Sequence, residues 1–445
     1  MRVLLVTYDF PPVRTPRALR WRYLVRELVL QGHEVHVLRP DLGEVDVTFP
    51  EAPGSLHMHS SWPGPFGWLV RRSVRRHATV GEEPGVSPGT VSAPGLNWRG
   101  RLVDAAKRGC GWVLYPDVRA EWTPWARRAL DRLLASIRPD VVVTSHEPAT
   151  TLALGARARR AGYPWVADLG DPVCAPYTPR RWRRRAWKQE AAVCRQADRV
   201  VLTTEATRQL LIDRHGLDPA RGTVLPNGYD DRRGPAPAPA LDFDPARLEL
   251  LYTGRLYDYR DPTGLLQAVA ATPGVRLTLV LPDPPEGRAA RLVEAAGERV
   301  RVTGSMPHGA VMGLLEAADV LVNVGDVAGS VQVPAKVYEY LGIERPILHV
   351  VTGRDDTVAA MLEPLSRGWI HDADPQRLAR LLRHLVESKR AGTLHDGWQL
   401  APVAAHAHSV LGARLDQELV AVCAMGNLER PESSSRPSQE GREGM

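Results

Sequence analysis

The sequence predicts an α/β protein made of two doubly wound Rossmann-like domains that face a cleft. Short apolar segments rich in β-branched residues alternate with helical patterns along most of the 445 residues. This alternation is typical of βαβ units around a parallel sheet covered on both faces. It stops at PAPAPA, residues 235–240, and restarts with LELLYTG. Because a proline-rich stretch forms a semi-rigid extended linker, the break divides the chain into two domains.

The strands and helices of both domains are predicted from these patterns. In the first domain the strands are RVLLVT (2–7), EVHVL after Gly32, DVVVT (140–144), PWVAD (164–168) and RVVLT (199–203). Helices are predicted at residues 17–30, at residues 149–161 and from about residue 181. LELLYTG, VRLTLVL, RVRVTG, DVLVNV and RPILHV are the strands of the second domain. Ligands of such sheets bind beyond the carboxyl ends of the strands, so the loops after the strands are expected to form the cleft.

The predicted boundaries place the first domain at residues 1–230, a Pro/Ala-rich linker at 231–245 and the second domain at 246–400. A C-terminal helix is expected within residues 401–425, because one helical stripe is apolar: Val410, Leu411, Leu415, Leu419 and Val422. Residues 426–445 are polar and are expected to be disordered. A long loop is expected at residues 81–96.

Composition indicates a cytoplasmic protein with an anionic partner. No apolar run approaches the roughly 18–20 residues that span a bilayer, and MRVLLVTYDF is too short to act as a signal peptide. The four cysteines are scattered, without a CxxC pair or a neighbouring histidine cluster, so no disulfide framework and no structural zinc site are expected. The net charge of +6 suits a nucleotide, a phospholipid or a nucleic acid. No base-stacking or groove-binding motif supports the nucleic acid.

The stretch VPAKVYEYLGIERPIL, residues 333–348, contains a candidate ligand site. Pro334 is expected to begin a helix, and Lys336 and Glu339 are three residues apart on one face near its N-terminus. One interpretation is an exposed ion pair, which contributes only about a few tenths of a kcal/mol. The other is the wall of a site for a charged ligand.

Several motifs together resemble one enzyme family. GRLYDYRDP, VTGSMPHGAVMGLLEAADVLVNV and VPAKVYEYLGIERPIL occur in the order found in retaining glycosyltransferases of the GT-B fold, and VLLVTYDFPP, PWVADLGDP and VLPNGYD agree with the first domain of that fold. The sequence resembles the family-four group from about residue 1 to residue 390. The resemblance implies transfer of a sugar from a nucleoside-diphosphate sugar to an acceptor hydroxyl with retention of configuration. The donor would bind to the second domain and the acceptor to the first.

The resemblance also implies donor-binding residues. Glu339 matches the second glutamate of a Glu-x7-Glu motif, which binds the ribose hydroxyls, and Arg255 matches a diphosphate-binding cation. Arg260 stands where family members usually have a lysine, and Lys336 adds a further cation. The remaining donor-binding candidates are Gly254, which precedes Arg255, and Gly304 and Ser305 in the sequence TGSM. For Arg255 the alternative is a solvated loop arginine, and for Arg260 it is an ion pair with Asp258 or Asp261.

The sequence departs from the family pattern at two positions. Val331 stands where the first glutamate of the motif is expected, and Gly170 stands where a histidine often follows the strand PWVAD. No catalytic histidine is therefore expected. In a front-face reaction the leaving diphosphate accepts the proton of the acceptor, and the enzyme positions the reactants and stabilises charge. Arg255, Lys336 and Asp171 are the catalytic candidates, although Asp171 could instead be a turn residue.

No cofactor or metal is expected, because no Asp-x-Asp segment follows a strand at the donor side. The acceptor-side candidates are chosen by their positions beside strand ends of the first domain. They are Asp9, Arg20, His146 and Asp168. The expected acceptor is a glycan, a lipid-linked glycan or a small-molecule aglycone. Alternatives to transfer are a sugar-nucleotide epimerase of the same fold and a non-catalytic protein that binds nucleotide sugars.

Two basic stretches suggest peripheral contact with the inner face of the plasma membrane. FGWLVRRSVRR, residues 66–76, has apolar residues on one helical side and arginines on the other, as interfacial helices do. Residues 180–188 carry six cations. The alternative is that the first helix packs on its own domain and that the second presents a solvated face.

Overall fold

The computed structural model describes residues 1–78, 114–327 and 330–428, apart from residues 14, 45, 46, 48, 50, 51 and 258 and the side chains of residues 73–78 and 426–428. The loop predicted at residues 81–96 and residues 429–445 of the predicted tail lie outside the described residues. Within the described parts of the chain, no helix is both long enough and apolar enough to cross a membrane.

The first domain contains a parallel sheet with the strand order β3-β2-β1-β4-β5-β6-β7. Its strands are β1 (Arg2–Val6), β2 (Glu34–Pro40), β3 (Ser55–Ser61), β4 (Val141–His146), β5 (Trp165–Leu169), β6 (Arg199–Leu202) and β7 (Gly222–Val224). Its helices are α1 (Pro16–Leu30), α2 (Pro65–Ala78), α3 (Thr123–Ile137), α4 (Thr150–Arg160), α5 (Arg180–Gln196) and α6 (Glu205–His215). The strand order reverses between β1 and β4, so their carboxyl ends flank the crevice in which such sheets bind ligands.

The second domain repeats this plan with the strand order β10-β9-β8-β11-β12-β13. Its strands are β8 (Leu248–Thr253), β9 (Val275–Val280), β10 (Val300–Thr303), β11 (Val320–Val324), β12 (Ile347–Val351) and β13 (Gly368–Asp372). Its helices are α7 (Thr263–Ala270), α8 (Gly287–Ala296), α9 (His308–Ala317), α10 (Ala335–Leu341), α11 (Thr357–Leu362) and α12 (Pro375–Ala391). The order reverses between β8 and β11. The predicted pair of doubly wound α/β domains is confirmed.

Helix α1 shows how local sequence fixes the first domain. The hydroxyl of Thr15 accepts a hydrogen bond from the backbone N–H of Ala18 at 3.1 Å, and Pro16 occupies the first helical turn, where its missing N–H is not needed. Trp21 and Leu24 then pack against the sheet in the buried core. The cap and the apolar face together place the N-terminus of α1 beside the carboxyl ends of the strands.

The C-terminal helix α13 (His408–Leu428) belongs to the first domain. Leu411, Leu415, Leu419 and Val422 are buried in the core that also contains residues of α1 and β1. Val410, which was predicted to share this stripe, is exposed, because its side chain points away from α1. The helix continues to residue 428, three residues into the predicted tail. The chain therefore crosses from the first domain to the second and back again.

The linker lies against the second domain. Residues 231–247 contain neither helix nor strand, and Ala236, Leu241 and Phe243 pack on the core formed by α9, α10 and the sheet. Arg233 forms an ion pair with Glu316 of α9. These contacts hold an extended segment along one domain instead of leaving it in solvent.

Candidate functional site

The two domains meet at the loop that precedes α10. The backbone carbonyl of Val331 accepts hydrogen bonds from the hydroxyls of Thr204 and Thr207 at the start of α6. The next side chain, Gln332, forms hydrogen bonds with Asp171 and Tyr177 of the first domain. The position at which the family has a glutamate thus contributes a backbone contact between the domains.

Lys336 is the most unusual charged group on the second domain. Its ammonium lies 3.2 Å from the centre of the Tyr252 ring. The Nζ atom is buried, and no described residue accepts a hydrogen bond from it. Burial, together with the nearby guanidinium of Arg260, lowers the pKa of Lys336 well below its usual range, while Asp326 acts in the opposite direction. A buried amine of this kind gains most from an added anion.

Arg260 lies next to Lys336 and is held in place by one carboxylate and two rings. Its Nε donates to Asp326 at 2.7 Å, and its guanidinium lies 5.2 Å and 5.6 Å from the ring centres of Tyr257 and Tyr259. Asp326 follows β11, so it reaches Arg260 from a neighbouring strand. The predicted alternative of a pair with Asp261 is wrong, and Asp258 lies outside the described residues.

Arg255 follows β8 directly. Gly254 has a φ of +95°, a conformation that favours glycine, and the resulting turn leads into Arg255 at the strand end. Arg255 forms an ion pair with Asp283 at 3.0 Å, and both side chains are partly exposed. Because this pair is solvated, it contributes little to stability and an anionic ligand competes with it at low cost.

Glu339 faces away from Lys336. Its Oε1 lies 3.9 Å from Nε2 of His308, the first residue of α9, and burial raises the pKa of its carboxyl while His308 opposes the shift. The interpretation of Lys336 and Glu339 as one exposed ion pair is therefore wrong, since the two charges have different partners. Glu339 and His308 line a pocket of about 180 Å³ between α9, α10 and the linker.

Gly304 and Ser305 lie in the exposed loop after β10. A Cβ atom at Gly304 would meet no atom within 4 Å, so packing does not require glycine at that position. The loop leads into α9 and His308. The residues that line the pocket beside Glu339 include His308 but neither Gly304 nor Ser305, so their contact with a base stays a prediction.

Two of the predicted acceptor-side residues are buried inside the first domain. Asp168 is 1% exposed and accepts hydrogen bonds from Arg17, Arg20 and Trp21 at 3.3, 3.3 and 3.0 Å. Arg20 is 2% exposed and also donates to the carbonyls of Leu225 and Pro226. The structure contradicts a direct acceptor contact for Arg20 and Asp168, because neither group is open to the cleft. Together they fasten α1 to β5.

Arg17 occupies the place of the histidine that the family often has after this strand. A Cβ atom at Gly170 would lie 1.1 Å from Nη2 of Arg17, so any other residue would displace the guanidinium. Glycine at this position leaves room for the guanidinium, which is the movable end of a flexible side chain on α1. Sequence reasoning identified the missing histidine but missed Arg17, since no local pattern links residues 153 positions apart.

Asp171 lies at the cleft, where residues from both domains surround it. The hydroxyl of Tyr177 donates to its Oδ2 at 3.3 Å, and Gln332 approaches from the second domain. Burial and the neighbouring Glu147 raise the pKa of Asp171 to about 6, although Arg17 and the two hydrogen bonds act against the shift. A carboxyl with this pKa changes its charge near neutral pH, which is a property of groups at functional sites.

Asp9 and His146 are also buried. The Oδ2 of Asp9 accepts from the hydroxyl of Thr15 at 3.1 Å, and burial raises the pKa of Asp9 while Arg119 opposes the shift. Burial lowers the pKa of His146 to about 4, so its ring is neutral at neutral pH. Both side chains are 4% exposed. The expectation that they contact an acceptor directly is therefore corrected: they lie beneath the cleft, and Asp9 supports the start of α1.

Sequence comparison relates part of this chain to a known family. Residues 90–233 match the model described as Glycosyltransferase Family 4. Over 146 residues the chain is 32% identical to the D-inositol 3-phosphate glycosyltransferase of Mycobacterium tuberculosis, and the match covers 30% of each protein. The chain thus spans less than a third of the length of that curated relative.

Structure comparison covers almost the whole chain. Sucrose-phosphate synthase from Thermosynechococcus elongatus superposes with a TM-score of 0.68 and 15% identity, over 96% of this chain and 100% of that chain. UDP-GlcNAc 2-epimerase from Methanocaldococcus jannaschii superposes with a TM-score of 0.52 and 10% identity, over 95% of this chain and 100% of that chain. These likenesses concern the fold alone. The predicted resemblance to the family-four group is confirmed for residues 90–233, and these structures confirm the predicted two-domain fold over almost the whole chain.

Proposed function

We propose that this protein is a glycosyltransferase that moves a sugar from a nucleoside-diphosphate sugar to an acceptor hydroxyl with retention of configuration. The observation that carries the proposal is Lys336, a buried ammonium without a hydrogen-bond acceptor among the described residues. Arg260 lies beside it, and both stand at the carboxyl edge of the second sheet. Asp326 balances Arg260, and a diphosphate would supply the negative charge that Lys336 lacks.

The donor side divides into a base-and-ribose part and a diphosphate part. Glu339, in the pocket with His308, would accept hydrogen bonds from the two ribose hydroxyls, since a carboxylate binds vicinal hydroxyls in a charge-assisted pair. Lys336, Arg255 and Arg260 would hold the diphosphate. Helix α10 has only seven residues, so the side-chain cations rather than the helix dipole would carry most of this charge. These cations can neutralise the diphosphate without a metal ion at the cleft.

The transfer step then needs little covalent chemistry from the protein. The bond between the anomeric carbon and the diphosphate oxygen breaks while the acceptor oxygen bonds to the same face of that carbon. The acceptor proton passes to the leaving diphosphate oxygen. Lys336, Arg255 and Arg260 stabilise the charge that grows on the diphosphate. This route requires no histidine, in agreement with Gly170.

Asp171 would orient the acceptor hydroxyl. Its carboxylate is the predicted first-domain group that does reach the cleft, and Tyr177 and Gln332 fix its position by hydrogen bonds. In the ionised form it can accept a hydrogen bond from the acceptor and align the hydroxyl with the anomeric carbon. Its raised pKa makes this function dependent on pH.

A donor and acceptor panel tests the proposal. The full chain is incubated with nucleoside-diphosphate sugars that differ in base and sugar, with and without acceptors, and released nucleoside diphosphate is measured. The acceptor panel includes an inositol phosphate because of the name of the M. tuberculosis relative. Release of nucleoside diphosphate should depend on the acceptor. The anomeric configuration of the product, axial or equatorial, should match that of the donor sugar. Binding of nucleotide without release for any acceptor would contradict transfer and favour a binding protein.

We further propose that the protein works at an anionic membrane surface. Helix α2 is docked through its first turn, where Glu121 accepts from the N–H groups of Phe66 and Gly67 at 3.1 and 2.7 Å. Trp68 and Leu69 are 42% and 37% exposed, and the guanidinium of Arg72 lies 5.6 Å from the centre of the Trp68 ring. Phe66 and Val70 of the same helix are half-buried, so part of the apolar side packs on its own domain, as the alternative expects, while Trp68 and Leu69 remain exposed.

Helix α5 adds the positive charge. Six cations are exposed on it: Arg180, Arg181, Arg183, Arg184, Arg185 and Lys188. Each basic residue near an anionic surface contributes about 1 kcal/mol, and the exposed side chains of Trp68 and Leu69 on α2 would add apolar insertion. The two helices therefore supply the two kinds of contact that a peripheral membrane protein uses.

Liposome flotation tests the membrane proposal. The wild type is expected to float with vesicles that contain anionic lipid and to stay in solution with neutral vesicles. Trp68→Ser combined with Leu69→Ser should weaken flotation. A matched control is Val420→Ser, because Val420 is 51% exposed but lies on α13. Protein that remains soluble with both kinds of vesicle would contradict the proposal and leave a soluble acceptor.

A further inference from the structure

Four metal-binding side chains gather on one face of the edge strands β2 and β3. Glu34 and His36 are two residues apart on β2, and His57 and His59 are two residues apart on β3. Side chains two apart on a strand share a face. The two strands are parallel neighbours in which His36 stands opposite His57. The register therefore brings all four groups together, although the sequence separates the two pairs.

Three of these groups already have the geometry of a ligand set. Nε2 of His36 lies 2.9 Å from Oε1 of Glu34, and Nε2 of His57 lies 3.8 Å from the same oxygen. The three ligand atoms are all within 4.8 Å of one another. With metal–ligand bonds of about 2.0–2.1 Å, tetrahedral ligand atoms are about 3.3 Å apart. Small rotations of the exposed side chains of Glu34 and His57 would bring the three ligand atoms from their present separations to this distance.

His59 holds His36 in the required orientation. Its Nε2 lies 3.0 Å from Nδ1 of His36, and the two rings are stacked at 5.2 Å. An imidazole that binds a metal through Nε2 carries its proton on Nδ1 and donates it to a fixed acceptor. His59 offers that acceptor. The hydroxyl of Ser55 lies 3.1 Å from Nε2 of His57, and a metal would replace this contact and the one between His36 and Glu34.

We infer that Glu34, His36 and His57 form a binding site for a divalent transition-metal ion such as Zn²⁺, with His59 as a positioning residue. Two imidazoles and one carboxylate favour ions of this class over Mg²⁺ and Ca²⁺, which prefer oxygen ligands. No metal site was predicted, because the cysteines are scattered and have no neighbouring histidine cluster along the sequence. The pairing of β2 with β3 creates the set.

Because the site lies away from the cleft, a bound ion is expected to affect stability and not turnover. Glu34 and His36 lie near the amino end of β2, and His57 lies near the amino end of β3, whereas the cleft is at the carboxyl ends. Strand β3 is the outer strand of the sheet. An ion that bridges β2 and β3 would therefore fasten this edge. A ligand that binds only the folded state raises the melting temperature, and the increase grows with the logarithm of the free ligand concentration above its Kd.

Titration of the full chain, without an affinity tag and after removal of metal, tests the inference. Calorimetry with Zn²⁺ is expected to show one saturable site, and Mg²⁺ should show none. His57→Ala should weaken Zn²⁺ binding at least tenfold, and His59→Ala by about 10–100-fold, as for other positioning partners of metal ligands. His384→Ala is the matched control, since His384 is exposed on α12, and it should bind like the wild type.

Thermal unfolding provides the second measurement. Zn²⁺ should raise the melting temperature of the wild type and of His384→Ala but not that of His57→Ala. All variants should melt alike without metal, because His57 is 47% exposed and its loss leaves the core intact. Equal Zn²⁺ affinity in His57→Ala and the wild type, or no binding below millimolar Zn²⁺, would overturn the inference.

Discussion

The two sides of the cleft use charge differently. On the second domain, Lys336 has no hydrogen-bond acceptor among the described residues, and Arg255 forms a solvated pair with Asp283. On the first domain, Asp168 and Arg20 are buried and hydrogen-bonded to each other and to their surroundings. The second domain thus keeps cations available for a ligand, whereas the first uses most of its charges to hold its own framework.

This difference indicates which substitutions affect ligands and which affect folding. Removing a cation on the second domain leaves the buried core unchanged and costs the interaction with an anion. Removing Asp168 would leave the buried Arg20 without its carboxylate partner, and breaking such a buried pair is strongly destabilising. Asp171 is the exception on the first domain, because it combines a cleft position with a raised pKa. Substitutions on both sides therefore test the comparison.

The largest effect is expected for Lys336→Met. Because this ammonium faces the growing charge of the diphosphate, turnover should fall by about 10²–10³-fold, as when one preorganised donor is removed. Nucleotide binding to the wild type should also take up a proton in the pH range where Lys336 of the free protein is deprotonated, since an anion raises the depressed pKa of Lys336. Calorimetry in two buffers with different ionisation enthalpies measures this uptake. Equal uptake in the variant would exclude Lys336 as its source.

Asp171→Asn is expected to lower turnover by about 10–100-fold through misalignment of the acceptor. The wild-type rate should fall as the pH decreases through about 6, because the raised pKa of Asp171 lets the carboxylate take up a proton there. The asparagine variant should lack this acidic limb. The measurement is a pH profile of turnover from pH 5 to pH 8. An acidic limb that persists unchanged in the variant would assign it to another group.

Glu339→Ala should weaken nucleoside diphosphate binding by about 1.5–3 kcal/mol, because the ribose hydroxyls lose a charged acceptor. Calorimetry with the preferred nucleotide measures the loss. Glu344→Ala serves as the control, since Glu344 is exposed just after α10. If both variants bind like the wild type while remaining folded, Glu339 does not contact the nucleotide.

Arg255→Ala should reduce turnover by about tenfold, and Arg255→Lys should reduce it less. A lysine keeps the charge but lacks the fork that binds two phosphate oxygens. The solvated pair with Asp283 adds little to stability, so both variants should melt like the wild type. Turnover near that of the wild type in both variants would remove Arg255 from the diphosphate site.

The smallest effect is expected from metal removal. Under the proposed function, turnover should be unchanged by a chelator, because cationic side chains would neutralise the diphosphate and the Glu34–His36–His57 group lies away from the cleft. The melting temperature of Zn²⁺-loaded protein should fall in the same treatment. Loss of turnover that Mg²⁺ or Mn²⁺ restores would show that the cleft itself requires a metal.

Local sequence patterns were sufficient for most secondary structure. The helix predicted at residues 17–30 is found at Pro16–Leu30, and the strand predicted at residues 164–168 is found at Trp165–Leu169. The C-terminal helix was predicted from its apolar stripe, but its partner was not. An apolar stripe shows that one face of a helix is buried but does not identify the packing partner. Only the folded chain shows that α13 packs on α1.

The sequence by itself determined the two α/β domains, the break between them and the positions of Arg255, Lys336 and Glu339 at strand or helix ends, because periodicity and motif spacing are local properties. Only the tertiary structure decided which charges are available. It buried Arg20 and Asp168, placed Arg17 over Gly170, brought Gln332 to Asp171 and aligned His36 with His57. Each of these results depends on a contact between segments distant in sequence, and burial and ion pairing are determined by such contacts.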